Sequence, residues 1–246
     1  MTEEKQKHDI VIPLGVKSYQ QKNNEILIAV TSIRKFCSSW LNRIIIVTQI
    51  DPIKELGDDI IWLKHGDIYN HDKDANIIGK IRYTIENVPD LTEDFMMWSD
   101  DQFVTKETNW SDCCVPRYMK VYSPETRAYF DDMAKKRTWW RRLRKCLDRF
   151  GYGAKLWNPH IPMPLNKNKF IEMCRKFPYR TDDGITIYSL YFNFIKEEGK
   201  PNFDEFHCQG GETDWKGGRW VGFFDSSMRN ATWRNYVQEF FGIEFK

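Results

Sequence analysis

Apolar runs and amphipathic stretches follow one another through the first part of the chain. The apolar runs are short, as in strands buried on both faces of a sheet, and they lie at 10–15, 43–48, 59–63 and 95–99. Apolar residues at helical spacing predict helices at 23–36 and 75–87. The order β-α-β-β-α-β with short links predicts an α/β fold with a mainly parallel sheet flanked by helices.

The second half of the chain is expected to be richer in helices and loops. Helical spacing of apolar side chains recurs at 167–177, 183–197 and 227–241. Residues 151–168 are rich in Gly, Pro and Asn, and residues 199–222 hold many glycines, so both stretches are predicted to be loops.

Two adjacent carboxylates, Asp100 and Asp101, follow the strand predicted at 95–99. In an open α/β sheet, ligands bind outside the carboxyl ends of the strands, so these side chains fall where a site is expected. Two like charges side by side repel each other unless positive charge lies nearby, and a divalent cation would supply it. A plain solvated turn is an equal alternative on these two residues alone.

Composition narrows the class of protein. The chain has 246 residues, 41% of them hydrophobic, with a formal net charge of +2, which suits one large domain and says little about partners. No apolar run reaches the length of a membrane span, and the polar residues 1–9 do not resemble a signal peptide. We therefore expect a cytoplasmic protein without a transmembrane segment. The six cysteines lack the spacing of a zinc or redox site and are expected to be reduced thiols.

Residues 135–145 concentrate positive charge around two tryptophans, since seven of these eleven residues are Lys or Arg. Such a segment suits a polyanionic acceptor, because arginines meet phosphates and indoles stack on bases or sugars. Two alternatives stay open: a helix with a solvated charged face and inward-packed tryptophans, and a helix on an anionic membrane surface. The predicted acceptor-binding residues are Trp139, Trp140, Arg141, Arg142 and Arg144.

Several segments together resemble a known family. Four segments look like the second conserved block of the Stealth-type sugar-phosphate transferases: 24–35, 45–48, 76–81 and 99–103. They are also similar to related GT-A-like glycosyltransferases of bacteria and phages. Weaker similarity to the third and fourth blocks lies in 159–164 with 179–183, and in 223–225. Stealth proteins open with a strand that carries Trp-Val-Asp, whereas residues 12–15 are Ile-Pro-Leu-Gly here, which favours a glycosyltransferase over a phosphotransferase.

The resemblance implies a GT-A-like (Rossmann-like) fold in a single domain spanning residues 1–246. Residues 9–104 would form the nucleotide-sugar-binding half, and residues 105–246 a helical, loop-rich acceptor-binding half. No GxGxxG follows the first predicted strand, so a dinucleotide site has no support. The expected activity is metal-dependent transfer of a sugar from a nucleotide-sugar, a UDP-sugar foremost, in the cytoplasm of a bacterial cell and with bacterial or phage origin.

The same resemblance suggests which residues carry the chemistry. Asp101 would bind Mn²⁺ or Mg²⁺, and His160 is preferred to His207 as a further metal ligand. Asp182 and Asp183 are candidates for the general base of an inverting transfer, with a plain helix N-cap as the equal alternative. The predicted donor-binding residues are Arg34, Asn76, Lys80, Asp100, Arg180 and Arg219.

The sequence is compatible with one specific acceptor and with two alternative functions. A hydroxymethylated base in phage DNA is the acceptor that the basic segment at 135–145 suggests, since phages are known to place sugars on such bases with GT-A-like enzymes. One alternative is a Stealth-type sugar-1-phosphate transferase of capsular polysaccharide synthesis. The other is a nucleic-acid-binding protein on a degenerate transferase fold, without enzymatic activity.

Overall fold

A five-stranded sheet lies at the centre of the computed structural model, which describes residues 6–15, 24–68, 73–202, 205–208, 210–215 and 217–245. The strands of the structure are β1 (His8–Pro13), β2 (Leu41–Thr48), β3 (Ile61–Lys64), β4 (Asp94–Met97), β5 (Gln102–Val104), β6 (Arg117–Tyr118), β7 (Lys120–Val121), β8 (Lys155–Leu156), β9 (Met163–Asn166), β10 (Lys200–Pro201), β11 (Glu205–Cys208) and β12 (Trp220–Phe223). The helices are α1 (Asn24–Phe36), α2 (Lys73–Asn87), α3 (Trp110–Cys113), α4 (Pro124–Lys136), α5 (Thr138–Phe150), α6 (Lys167–Lys176), α7 (Ile187–Phe194), α8 (Asp225–Arg229) and α9 (Ala231–Phe241), with a short 3-10 turn at Lys54–Leu56.

The central sheet has the strand order β3-β2-β1-β4-β9. Strands β1 to β4 run parallel to one another, and β9 is antiparallel to β4. The middle strands are mainly apolar after their first residues, as expected for a sheet covered by helices on both faces, and Ile10, Ile45 and Phe95 are completely buried. This α/β architecture with a mainly parallel sheet confirms the predicted fold class.

One buried carboxylate holds the amino end of the sheet together. Asp9 in β1 is inaccessible, and its oxygens accept hydrogen bonds from Arg43 Nε at 3.0 Å and Arg43 Nη2 at 2.8 Å. The backbone N–H of Thr92 also donates to it, at 3.0 Å. A buried charge is tolerated when it is paired and hydrogen-bonded in this way, so Asp9 is a structural residue.

The predicted helix at 183–197 is shorter in the structure and begins only at Ile187. Two side chains explain the late start. Asp182 Oδ1 accepts from the Gly184 N–H at 2.7 Å, which closes a local turn, and Asp74 Oδ1 accepts from the Ile187 N–H at 3.1 Å. The predictions of loops at 151–168 and 199–222 were incomplete. Strands β8 and β9 form within the first stretch, and β10, β11 and most of β12 form within the second.

The C-terminal part of the chain packs onto the N-terminal half. Strand β12 pairs antiparallel with β5 and parallel with β11. Trp233 and Phe241 of α9 share a buried apolar cluster with Phe103 of β5 and Ile28 of α1. This packing places the end of β12 beside the start of α1.

Helices α4 and α5 form a hairpin with a small core of its own. Phe130 of α4 and Leu143 and Leu147 of α5 are fully buried there, against Tyr122 and Leu156. A single residue, Arg137, separates the two helices. None of the helices within the described ranges has the length and apolarity needed to cross a membrane.

Candidate active site

The turn that carries Asp100 and Asp101 lies at the carboxyl edge of the central sheet, between β4 and β5. The Trp98 N–H donates to the Val11 carbonyl of β1 at 3.0 Å, and the Trp98 indole donates to the Gln102 carbonyl at 3.1 Å. The Asp101 carbonyl accepts from the Phe223 N–H of β12 at 3.0 Å. These bonds fix both ends of the turn, and the carboxylates lie where the sequence predicted them.

Two further carboxyl groups share the electrostatic environment of this turn. Glu25 comes from the first turn of α1, and Asp225 begins α8 directly after β12. Glu25 is only 8% exposed. Burial, followed by the charges of Asp100, Asp225 and Asp101, raises the pKa of Glu25 to about 8. Glu25 is therefore protonated at neutral pH, in a region of strongly negative potential.

Asp100, which is half-buried in the turn, differs from an ordinary surface carboxylate. Burial and the neighbouring charge of Asp101 raise the pKa of Asp100 to about 6, and the opposing charge of Lys73 limits the shift. Dehydration opposes the charge on Lys73, but Asp101, Asp100 and Asp74 together raise its pKa. Lys73, the first residue of α2, therefore stays a cation beside the aspartate pair.

A buried tyrosine borders the same turn. Tyr188 of α7 is 6% exposed, and burial, Asp101 and Asp74 raise the pKa of its hydroxyl. A neutral phenol beside a carboxylate is a hydrogen-bond donor at every physiological pH. The start of α7 is held at this edge of the sheet by the bond from Ile187 to Asp74.

The chemistry of the aspartate pair fits a hard divalent cation. Asp101 Oδ1 is buried and has no hydrogen-bond partner among the described residues, which is costly for a carboxylate oxygen without a cation. The described part of the chain contains no group of three His, Cys, Asp or Glu side chains that could enclose a metal. Mg²⁺ is commonly held by one or two carboxylates, with substrate phosphates and water as its other ligands. The residues present therefore fit a site that the substrate completes.

The loop before β9 brings His160 to the same edge of the sheet. Met163, which begins β9, pairs with Met97 at the end of β4, and His160 lies three residues before that pair as Asp100 lies three residues after it. His160 has a positive φ of 47°, an uncommon conformation for a residue other than glycine. For His207, the described backbone lies in β11 opposite Gly222.

Lys80 and Asn76, two of the predicted donor-binding residues, lie on α2. Lys80 is 2% exposed, and its ammonium donates to the Leu14 carbonyl at 2.7 Å and pairs with Asp67 at 2.6 Å. Leu14 follows β1 and Asp67 follows β3, so this ion pair lies at the carboxyl edge. Asn76 is half-buried in the first turns of α2.

Three predicted donor-binding arginines are not brought to the turn. Arg34 pairs with Asp59 near the end of α1, nine residues and about 14 Å along the helix from Glu25. Arg219 pairs with Asp112 at 2.9 Å, at the end of β12 away from Asp101.

Arg180, the third of these arginines, also lies away from the turn. Its guanidinium is 5.7 Å from the centroid of the Tyr179 ring. Tyr179 in turn hydrogen-bonds with Arg82 in the second half of α2, which runs away from the carboxyl edge.

The candidate bases, Asp182 and Asp183, are both in ion pairs with α5. Asp182 pairs with Arg149, and Asp183 pairs with Lys145. Burial alone would raise the pKa of Asp182, but Arg149, the Gly184 N–H and Lys145 together lower it. Lys145 lowers the pKa of Asp183. Both groups are charged and weakly basic, and their role as the general base stays a prediction.

The residues predicted to bind an acceptor divide into inward and outward groups. Arg144 pairs with Asp131 at 2.8 Å and with Asp148, and it lies over the Tyr122 ring. Trp139 and Trp140 are half-buried against the core of the hairpin, as in the alternative of inward-packed tryptophans. On the surface, Arg141 is exposed and Arg142 is half-buried.

Sequence reasoning missed several residues of this site. Glu25, Asp225, Asp74 and Tyr188 come from four different elements that the fold brings to one edge. Glu25 and Asp225 lie within the segments that resemble the family blocks, which is the signal that could have singled them out. Tyr188 lies in an apolar helical stretch with no local sign of a site.

The sequence matches no protein-family model and no curated protein. Solved structures are similar in fold. The galactosyltransferase LgtC, crystallised with donor and acceptor sugar analogues, superposes with a TM-score of 0.54 at 11% identity, over 95% of each chain. An active-site mutant of LgtC gives 0.55 at 10% identity, also over 95% of each chain. The glycosyltransferase GlyE of Streptococcus pneumoniae gives 0.45 at 12% identity, over 96% of this chain and 63% of that one. The likeness to LgtC shows that the chain has a GT-A glycosyltransferase fold, as the sequence predicted.

Proposed function

We propose that the chain is a metal-dependent glycosyltransferase that moves a sugar from a nucleotide-sugar to an acceptor hydroxyl. The observation that carries the proposal is the turn after β4, where Asp101 presents a buried, unpartnered carboxylate oxygen at the carboxyl edge of the sheet. The fold shared with LgtC, which binds donor and acceptor sugar analogues, supports a donor of the nucleotide-sugar class.

Asp101 would bind Mn²⁺ or Mg²⁺ directly, with Asp100 beside it and His160 as the candidate further ligand. The cation, when bound, supplies positive charge to the diphosphate that accumulates as the sugar leaves. The Lys73 ammonium at the start of α2 lies in the field of both aspartates, so it would meet the same diphosphate from a second side. Asn76 would line the donor side further along α2, and the buried Lys80 would support the donor site by holding Leu14 and Asp67 at the carboxyl edge.

The acceptor would bind on the side of the site formed by the second half of the chain. Asp182 and Asp183 remain the candidate bases, and the chain continues from them into α7 at the edge of the site. A hydroxymethylated DNA base as acceptor, bound through residues 139–144, stays a prediction. Transfer of radiolabelled sugar to hydroxymethylated but not to unmodified duplex DNA would support it, and transfer to neither would contradict it.

Metal-dependent donor binding tests the proposal. The wild-type protein is titrated calorimetrically with UDP and with UDP-sugars, with and without Mn²⁺, and Asp101→Asn is compared with Asp58→Asn on an exposed loop. We expect binding that requires Mn²⁺, is lost in Asp101→Asn and is unchanged in Asp58→Asn. Metal-independent binding, or equal binding by both variants, would contradict the assignment of Asp101.

Product analysis separates this activity from its nearest alternative. Sugar transfer releases a nucleoside diphosphate, because the bond between sugar and phosphate breaks. Sugar-phosphate transfer, as in the Stealth-type enzymes, releases a nucleoside monophosphate. We expect the diphosphate, and release of the monophosphate would replace the proposed reaction by the alternative.

A further inference from the structure

The end of the α4–α5 hairpin carries several exposed basic side chains. We call residues 129–142 the hairpin tip. Lys135, Arg137 and Arg141 are exposed there, and none of the three forms an ion pair within the described residues. The acidic residues of the tip are already paired, Asp131 with Arg144 and Asp132 with Lys136. The tip therefore presents net positive charge, although the charge of Arg141 also acts on Asp183 and helps to lower the pKa of that carboxyl.

The hairpin tip also contains three aromatic side chains that are at least partly exposed. The Tyr129 ring is 42% exposed and meets Trp140 edge-on at a centroid distance of 5.7 Å. Trp139 meets Trp140 edge-on at 5.5 Å, and both indoles are half-buried. Lys120 lies over the Tyr129 ring at 4.7 Å from its centroid, and its neighbour Met119 is 52% exposed. Exposed basic side chains and partly exposed aromatic rings therefore both occur around the end of the hairpin.

We propose that the hairpin tip binds the surface of an anionic lipid bilayer. Half-buried Trp and Tyr rings are favoured at the level of the lipid headgroups, where one side of each ring is apolar and the other is wet. Exposed Lys and Arg side chains are attracted to acidic lipids over the Debye length. The proposal does not depend on which reaction the turn after β4 catalyses.

The geometry of the rings favours a membrane over a nucleic acid. A base stacks on an open aromatic face. Lys120 covers a face of Tyr129, and Tyr129 and Trp139 each meet Trp140 edge-on. Both indoles also pack against the hairpin core. Insertion between headgroups needs only the exposed edges of such rings.

Vesicle flotation of the full chain tests the proposal. Vesicles of phosphatidylcholine alone are compared with vesicles that contain an equal amount of phosphatidylglycerol. We expect binding only to the anionic vesicles, and weaker binding at high salt. The variant Lys135→Gln/Arg137→Gln/Arg141→Gln should partition roughly 100-fold more weakly, since each basic residue near the surface contributes about a factor of five.

The matched control removes the same charge from other exposed positions, in Lys54→Gln/Lys169→Gln/Arg175→Gln. It should bind the vesicles nearly as well as the wild type, and both variants should keep the melting temperature of the wild type. The proposal is overturned by an absence of binding to anionic vesicles or by equal loss in the two variants. It is also overturned if a DNA duplex binds through Lys135, Arg137 and Arg141 while the vesicles do not.

Discussion

Two pairs of adjacent aspartates in this chain have opposite surroundings. Asp100 and Asp101 lie in a field of further carboxylates, and burial and the neighbouring charge raise the pKa of Asp100 to about 6. Asp182 and Asp183 each have a cation from α5 as partner, and the pKa of both is lowered. The same dipeptide therefore contains an unpartnered carboxylate oxygen in one place, Oδ1 of Asp101, and forms two ion pairs in the other.

The difference shows which of the two aspartate pairs can bind an added cation. A carboxylate with its own Arg or Lys has its electrostatic demand met inside the protein and gains little from a ligand. Asp101 Oδ1 has no such partner among the described residues, and Glu25 nearby is kept neutral. An added cation would relieve repulsion at the first pair, whereas at the second it would compete with Arg149 and Lys145.

Replacement of Asp101 should give the largest effect. We expect Asp101→Asn to reduce glycosyl transfer roughly 100- to 1000-fold, the usual loss when one electrostatic group that stabilises the transition state is removed. Steady-state assays at saturating Mn²⁺ measure the change, with Asp58→Asn as the control of unchanged activity. A variant with near-normal turnover would place the site elsewhere and end the contrast between the two pairs.

The pH dependence of stability should give the next largest effect. The folded protein holds the Glu25 proton up to about pH 8, whereas the unfolded chain releases it near 4.5. The folded state therefore binds more protons between these values, and the metal-free protein should lose stability as the pH rises from 5 to 8. At pH 7 we expect Glu25→Gln to be more stable than the wild type by roughly 2–3 kcal/mol.

Thermal melts of both proteins across that range measure the difference. Burial and Lys80 lower the pKa of His65, which gives the opposite slope, but His65 is present in both proteins and cancels in the comparison. Parallel curves for the wild type and Glu25→Gln would show that Glu25 is not held protonated, and that the field at the first aspartate pair is weaker than described.

Removal of a charge from the second aspartate pair should lower stability, whereas Glu25→Gln should raise it. Asp182 is 18% exposed and Arg149 is 28% exposed, so their ion pair is partly screened by solvent. We expect Asp182→Asn to lower the free energy of unfolding by about 1–2 kcal/mol at pH 7, less than for a fully buried pair. Urea unfolding measures it, and the loss should fade at low pH, where Asp182 becomes protonated in the wild type.

The N-terminal half of the fold could be predicted from the sequence because its strands are apolar on both faces. Strand β9 could not, since Pro164 lies in the middle of a four-residue edge strand with little β-propensity. The start of α7 also escaped prediction, because it depends on the bond between Asp74 and the Ile187 N–H, more than a hundred residues apart. Local patterns contain no information about such a contact.

The residues of the candidate site also divide into those that could be predicted from the sequence and those that could not. Asp100 and Asp101 could be predicted because the strand and the carboxylates are adjacent in sequence. Glu25 and Asp225 join them only through the packing of α1 and β12 around β5. Arg34 was predicted on the same helix as Glu25, but the helix runs away from the site, so its position along α1 mattered more than its charge.

The smallest effect on stability is expected for replacement of Asp183. Its ion pair with Lys145 lies on the surface, whereas the ion pair between Asp182 and Arg149 is partly buried. Asp183 and Lys145 are 65% and 49% exposed, so solvent and salt screen their attraction. Asp183→Asn should leave the melting temperature unchanged within error. Transfer activity of this variant then tests the remaining role: loss of turnover at unchanged stability would make Asp183 the general base, whereas normal turnover would leave both aspartates of the second pair as structural contacts to α5.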